Sequence, residues 1–356
     1  MENSNKRIIY ADLLRIIATF AVIVLHVSAS KWYDTPVKDF NWQVYNLYDS
    51  LVRWSVPVFV MLSGMFFLNP NKEIDFKKLF CKYILRILLA IVFWGLFYQF
   101  SDIFSKFILH HETISLKKIV VAFAKIPFGP PYYHLWYLYM LIGLYLLSPI
   151  YRIFSKSATE KQFQYLLILF FTLGLCLPFG KNILLHFDSR LNINFEVSEL
   201  VNYSGYFFAG YYFSKYSISK KMKTTIYFFA ICSFLFTIAG TSYISIKNKE
   251  PNGALYGNLL PTTMFEAFTI FIFIKNIFEK KEVSEKSYTL ISKTSQCTFG
   301  IYLIHALIIT VVGHLGVTSD FINPLFAVPL ASFLIFCISL FIIYFCRKIS
   351  ISKYIM

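Results

Sequence analysis

Apolar residues along this chain come in stretches of about twenty, separated by short basic or polar segments. A bilayer core about 30 Å thick needs roughly 20 mostly apolar residues to be crossed by one helix. Spans are expected near 9–30, 48–68, 80–103, 134–154, 162–180, 197–215, 224–246, 258–279, 295–315 and 324–346. The first, with Lys6 and Arg7 just before it, is too long and uniform over Ile8–Ser28 for a signal-peptide core. It lacks a small-x-small exit site and reads as a retained span. Pro57 falls inside the second span, where neighbours can satisfy the freed carbonyl. Pro178 and Gly180 close the fifth, and Asn323-Pro324 opens the tenth. The pattern predicts an all-α, polytopic membrane bundle of about ten transmembrane helices. With no internal repeat or low-complexity tract, residues 1–356 read as a single membrane domain.

Composition agrees. The chain is 57% hydrophobic and only 15% charged, against about half and a quarter in soluble domains. The net charge of +15 suggests a nucleic-acid partner, but no extramembrane segment is large enough to present a basic face. Topology accounts for it better. With the N-terminus inside, inner segments collect 21 Lys and Arg and outer ones ten, which puts both termini in the cytoplasm. Four of those ten lie in one long outer loop between Ser105 and Tyr133. Within it, Lys117–Phe128 reads as a short amphipathic helix lying on the membrane. The six cysteines form no CxxC pair and read as small packing residues.

Ionisable groups inside apolar spans cost about 2.5–3.5 kcal/mol each and tend to face partners or wet cavities. In the first helix Asp12, Arg15 and His26 stand out. Arg15 and His26, close to three turns apart, share one face at a separation of roughly 16 Å. The bland alternative is an arginine snorkelling to head groups and a histidine bonded within the bundle. Arg53, near the outer start of the second span, is a candidate for binding an anionic acceptor group, for pairing with Glu266, or for a plain interfacial anchor beside Trp54. Arg86, with Lys77, Lys78 and Lys82, makes a basic inner mouth suited to phosphates. His134 and Trp136 follow a stiff proline-rich segment at the outer rim, and His305 sits in mid-span. His110, His111, His186 and His314 read as solvated loop residues. No helical i, i+4 ligand pair or carboxylate cluster joins these histidines, so no metal site is expected.

These segments resemble acyltransferase family 3 of integral membrane proteins. Its first-helix pattern of an acidic residue, an arginine and a histidine eleven further on is present. Ser55-Val-Pro-Val-Phe-Val-Met-Leu-Ser-Gly64, Tyr133-His-Leu-Trp136, Tyr145-Leu-Leu-Ser-Pro149 and Gly300-Ile-Tyr-Leu-Ile-His-Ala-Leu307 are similar to the branch that O-acetylates enterobacterial common antigen. The resemblance covers about residues 8–347, though 181–260 match nothing nameable. It implies a multi-pass protein of the bacterial cytoplasmic membrane that moves an acyl group, usually from acetyl-CoA, to a hydroxyl of an extracytoplasmic carbohydrate or other cell-envelope acceptor. Arg15 and Arg86 then suit the CoA phosphates. His26 suits a general base on the acceptor hydroxyl, with an acyl-imidazole on His26 as the mechanistic rival. Arg53, His134, Trp136, His305 and Glu266 are expected in the wall of the acceptor site. The alternatives are a transporter or flippase of a sugar or anion, and a membrane scaffold without turnover. Acceptor, acyl group and oligomeric state are not specified by the sequence.

Overall fold

The computed structural model describes residues 8–111, 113, 115–187 and 197–349, and among these it is helical with no strand. The terminal residues on which the expected orientation partly rests, Lys6 and Arg7 included, lie outside the described residues, as do the side chains of His110 and His186. The helices run in the order α1 (Ile9–Ala29), α2 (Phe40–Val52), α3 (Ser55–Phe67), α4 (Phe76–Lys78), α5 (Leu85–His110), α6 (Leu116–Lys125), α7 (Trp136–Ser157) and α8 (Glu160–Leu169). They continue with α9 (Leu177–Phe187), α10 (Glu199–Lys215), α11 (Lys220–Asn248), α12 (Pro261–Phe278), α13 (Glu285–His314) and α14 (Pro324–Cys346). Two π-helical stretches, Leu79–Ile84 and Phe170–Cys176, join α4 to α5 and α8 to α9.

Eight helical runs among the described residues are long and apolar enough to cross a membrane. The other two expected spans fall on α10, 17 residues long, and on α12, which carries Glu266 and Lys275. Both helices lie mostly inside the bundle, where a polar residue can find protein rather than lipid. Lys275, for example, donates to the carbonyls of Phe213 (2.7 Å) and Ser214 (3.2 Å) at the end of α10. Large side chains such as Phe228, Ile231, Leu235, Phe333 and Phe341 instead stand exposed on α11 and α14. An apolar outer surface of that kind fits a lipid environment.

Several boundaries differ from the sequence expectation, α5 running on to His110 and α13 beginning at Glu285, and three others have a local reason. The second span begins at Phe40 and breaks at Arg53–Trp54 before α3 starts. Pro57 therefore lies in the first turn of α3, where an amide has no intrahelical partner to lose. The fifth span continues past Pro178 and Gly180 to Phe187. Its wide π turns immediately before Pro178 relieve the clash a proline ring makes with the carbonyl four residues back. The short helix expected in the long loop starts at Leu116, capped by the Ser115 hydroxyl accepting from the Lys118 amide, and ends in a 3-10 turn over Ile126–Phe128. The tenth expected boundary is where the sequence put it: Asn323 caps α14 by accepting from the Leu325 amide, and Pro324 occupies the first position.

At the centre, α3 and α10 cross with almost no gap. A Cβ on Gly64 would overlap the Phe207 carbonyl, and one on Gly210 would overlap the carbonyl of Met61. Small residues at a crossing let two backbones approach this closely in membrane bundles. Helices α1 and α13 run side by side in the same direction. The Ser295 hydroxyl donates to Asp12 (2.7 Å) at one end, and His26 lies against His305 further along.

Candidate functional site

Between the first turns of α1 and the C-terminal part of α3 lies a cavity of about 380 Å³. Arg15, Lys72 and Arg86 contribute its charge, and Phe59, Leu62, Ile87 and Leu141 its apolar wall. Tyr137, Tyr145 and Tyr302 also line it. The guanidinium of Arg15 donates to Asp12 (3.2 Å) and lies 4.6 Å from the centre of the Phe66 ring. Asp12 is buried and held by Ser295, so it fixes the arginine one turn further along α1. Arg86, on α5, stands 5.0 Å from the Phe299 ring. The sequence placed these two arginines at one mouth, and the structure brings them into one cavity.

Lys72 is the third cation, and sequence reasoning did not single it out, because it lies among the lysines of an ordinary basic loop. The residue as a whole is exposed, yet its ammonium reaches in to 4.0 Å from the Phe66 ring. Desolvation there, then the positive charges of Arg15 and Lys78, lower its pKa to about 8. Its loop is held by Arg152, near the end of α7, which donates to the carbonyls of Phe67 (2.5 Å), Asn69 (3.1 Å) and Lys72. Ser155 adds a bond to the Leu68 carbonyl (2.9 Å). These are the orphan acceptors at the C-terminus of α3 and just beyond it, which a buried cation satisfies well.

Beyond the tyrosines, three imidazoles meet. His26 stacks on His305 with ring centres 5.2 Å apart, and His134 meets His305 edge to face at 4.9 Å. His134 and His305 are buried at 2% and 0% exposure, while His26 is half-buried. The Nδ1 of His305 lies 2.6 Å from the Tyr302 carbonyl. That contact makes Nδ1 the protonated nitrogen and leaves Nε2, which has no protein partner, as a lone pair. Both ring nitrogens of His134 are buried. The Tyr133 ring closes on His26 at 4.8 Å. Among the described residues no group of three or more His, Cys, Asp or Glu side chains is placed to hold a metal; two of these imidazoles stack face to face instead of converging their lone pairs.

Tyr302 connects the cavity to this cluster. It lines the cavity with Tyr137, 5.8 Å away, and its ring is 5.5 Å from His134 and 6.0 Å from His305. Its hydroxyl donates to the His134 carbonyl. The signal for Tyr302 was present only within the block that carried the family resemblance; as a bare tyrosine it could not be told from an aromatic belt residue.

The remaining sequence candidates are held by other contacts. Arg53 does not pair with Glu266. Its guanidinium forms an ion pair with Asp49, one turn before it on α2, lies 3.9 Å over the Tyr256 ring and donates to the Tyr256 carbonyl (3.2 Å). The helix register explains this, since residues four apart share a face. Glu266, on α12, is fully buried and neither of its oxygens has a hydrogen-bond partner. Trp136 packs toward Tyr203, at 6.0 Å. His111 and His314 are exposed, as expected.

Comparison with known proteins adds one finding. A family model described as an acyltransferase domain matches residues 8–346, nearly the whole chain. No curated protein and no solved structure matches.

Proposed function

The chain belongs to this acyltransferase family, and from that premise we propose that it is a membrane O-acyltransferase using acetyl-CoA as donor and a cell-envelope carbohydrate as acceptor. Its place is the bacterial cytoplasmic membrane, with the Arg15 end facing the cytoplasm and the histidine cluster facing outward. The observation that carries this reading is the single cavity running from three cations to the tyrosines beneath three histidines.

In this reading Arg15, Lys72 and Arg86 hold the donor's phosphates, the guanidinium groups by paired hydrogen bonds and the lysine as a point charge. The pantetheine arm follows the apolar wall toward Tyr137 and Tyr302. Two bulky tyrosines at the far end leave room for a short acyl group, which favours acetyl. His26, half-buried beyond them, takes the proton from an acceptor hydroxyl arriving on the other side. The oxygen attacks the thioester carbonyl, the C–O bond forms, the C–S bond breaks, and the proton passes to the departing thiolate. Stacking on His305 holds the His26 ring in place, and His134 borders the acceptor's approach. The products are an O-acetyl ester and free CoA.

The test uses purified protein in nanodiscs with acetyl-CoA. Arg15→Ala is expected to lose donor binding. His26→Ala is expected to keep binding but lose slow hydrolysis and transfer by about 10²–10⁴-fold, the usual contribution of a general base. Accumulation of labelled acyl-protein without acceptor would instead favour the covalent route through His26. Well-folded wild type that binds no acyl-CoA would refute the proposal and leave transport as the better account.

A further inference from the structure

A second cavity, of about 580 Å³, lies on the histidine side of the bundle, between α5, α6 and the proline-rich segment before α7. It is a built space. Gln99 on α5 donates to the Ala122 carbonyl of α6 (2.9 Å), and Tyr139 on α7 donates to the Ile126 carbonyl (2.6 Å), so α6 is fastened to the bundle as a wall. The apolar face of α6, with Leu116, Val120 and Phe123 exposed, is the kind that rests on lipid. Its lysines Lys118 and Lys125 border the cavity, facing Lys106 and Asp102 on α5.

Two features identify what such a space would hold. One is aromatic: Tyr132, half-buried at the cavity, is backed by the buried ring of Tyr98, which stacks on it in parallel with ring centres 4.2 Å apart. Rigid, amphipathic rings of this kind suit the flat apolar face of a sugar ring. The other is charge. Three lysines and one aspartate border the cavity, Lys106 ion-paired with Asp102 (2.8 Å) and Lys118 donating to the Thr113 carbonyl (3.0 Å), which leaves this lining positive on balance. These cations are also anomalous in the sequence, since Lys106, Lys118 and Lys125 belong to the four basic residues concentrated in one outer loop, against the bias that governs the rest of the chain. The two rings in turn adjoin the reacting groups: Tyr98 and Tyr132 lie 5.3 and 5.6 Å from His134.

We propose that this second cavity is the acceptor subsite and that it takes an anionic saccharide, a sugar bearing a carboxylate or phosphate. Its meaning as an acceptor site rests on the acyltransferase reading above; its ligand chemistry does not. The sugar ring lies against Tyr132, its acidic group meets Lys118 and Lys125, and a hydroxyl is presented toward the histidine cluster.

The experiment is equilibrium binding of a fluorescent glucuronate-containing tetrasaccharide to the full chain in phosphatidylcholine nanodiscs. A neutral chitotetraose of equal length is the comparison. The acidic probe is expected to bind about tenfold more tightly, as a charge-assisted contact would give. The double variant K118Q/K125Q is expected to lose that advantage, and K118R/K125R to keep it, which also shows that substitution there leaves the protein folded. Tyr132→Leu is expected to weaken both probes. Equal binding of acidic and neutral probes, or K118Q/K125Q binding like wild type, overturns the proposal. Displacement of the acidic probe by equimolar glycerol 1-phosphate also overturns it, assigning the cavity to a phospholipid head group. Acetyl-CoA hydrolysis by the same wild-type sample separates the two levels. Hydrolysis without saccharide binding defeats this inference alone, and saccharide binding without any acyl-CoA binding defeats the enzymatic reading while upholding the site.

Discussion

Raising the pH through about 8 is expected to weaken the hold of the Arg15 mouth on acetyl-CoA, because Lys72 loses its proton there. The pKa is lowered to about 8 first by desolvation of the ammonium inside the mouth, and then by Arg15 and Lys78. The sign follows from the charge. A donor phosphate favours the ammonium form, so it raises the lysine's pKa on binding, and above the free-state value each binding event must take up a proton. Apparent affinity therefore falls with rising pH, by at most about tenfold per unit, until the bound-state value is reached. Between roughly pH 7 and roughly pH 9 the lysine goes from about nine-tenths to about one-tenth charged. Loss of about tenfold in affinity over that range is the expected size if the ammonium form alone binds.

The assay is acetyl-CoA binding in nanodiscs at constant ionic strength across that range. Lys72→Arg should flatten the profile, since a guanidinium stays charged throughout. Lys72→Gln should be flat and weak. Added salt should move the wild-type inflection upward, because it screens the contributions of Arg15 and Lys78 while leaving desolvation untouched. A flat wild-type profile, or the same inflection in Lys72→Arg, would refute the reasoning.

Other predictions follow from single contacts. Gly64→Ala should cost about 1–3 kcal/mol, the range for overpacking, because the new Cβ meets the Phe207 carbonyl of a second backbone. Gly180→Ala, with nothing near its Cβ, should be neutral or slightly stabilising; thermal unfolding in detergent compares the two. Arg152→Ala should lower the melting temperature, by the equivalent of roughly 2–3 kcal/mol, since a charged donor to three carbonyls is removed. It should also raise KM for acetyl-CoA more than it lowers kcat, because the loop it releases carries Lys72. Tyr302→Phe, which deprives the His134 carbonyl of its donor, should lower turnover several-fold more than donor affinity, read from kcat and Kd measured separately.

Hydropathy carried most of the fold because spanning helices are specified by sums over about twenty residues, and local errors average out. It failed where single side chains decide. The stretch before Tyr48 holds Gln43 and Asn46 and looks too polar to begin a span, yet α2 starts at Phe40. Those side chains are used internally: Asn46 donates to the Ile238 carbonyl (2.9 Å) and accepts from the Tyr256 hydroxyl (2.5 Å), and Gln43 accepts from Ser242 (2.8 Å). A window average counts these groups as exposed and costly, whereas each has its partner in another helix.

The same limit applies to the site. A charge in an apolar span is expensive, and the rule that it marks function selects Arg15, Arg53 and Glu266 alike. The structure divides them by what surrounds them. Arg53 is enclosed by an ion pair with Asp49 and by the Tyr256 ring and carbonyl, so its cost is offset in holding α2 to the segment between α11 and α12. Arg15 keeps Asp12 as a partner but also borders a cavity shared with two further cations. Three positive groups around one cavity repel one another, and the lowered pKa of Lys72, owed first to desolvation, carries a share from Arg15. Such an arrangement is unfavourable until an anion enters, which is the physical sense in which a cavity lined by like charges points to a ligand and a neutralised ion pair does not. Sequence spacing could align Arg15 with His26 on one face and set Asp49 one turn from Arg53, but it carries no information about which further groups the fold brings to each arginine. Those groups, the Tyr256 ring and carbonyl for Arg53 and the Lys72 loop for Arg15, separate the structural arginine from the one proposed to bind the donor.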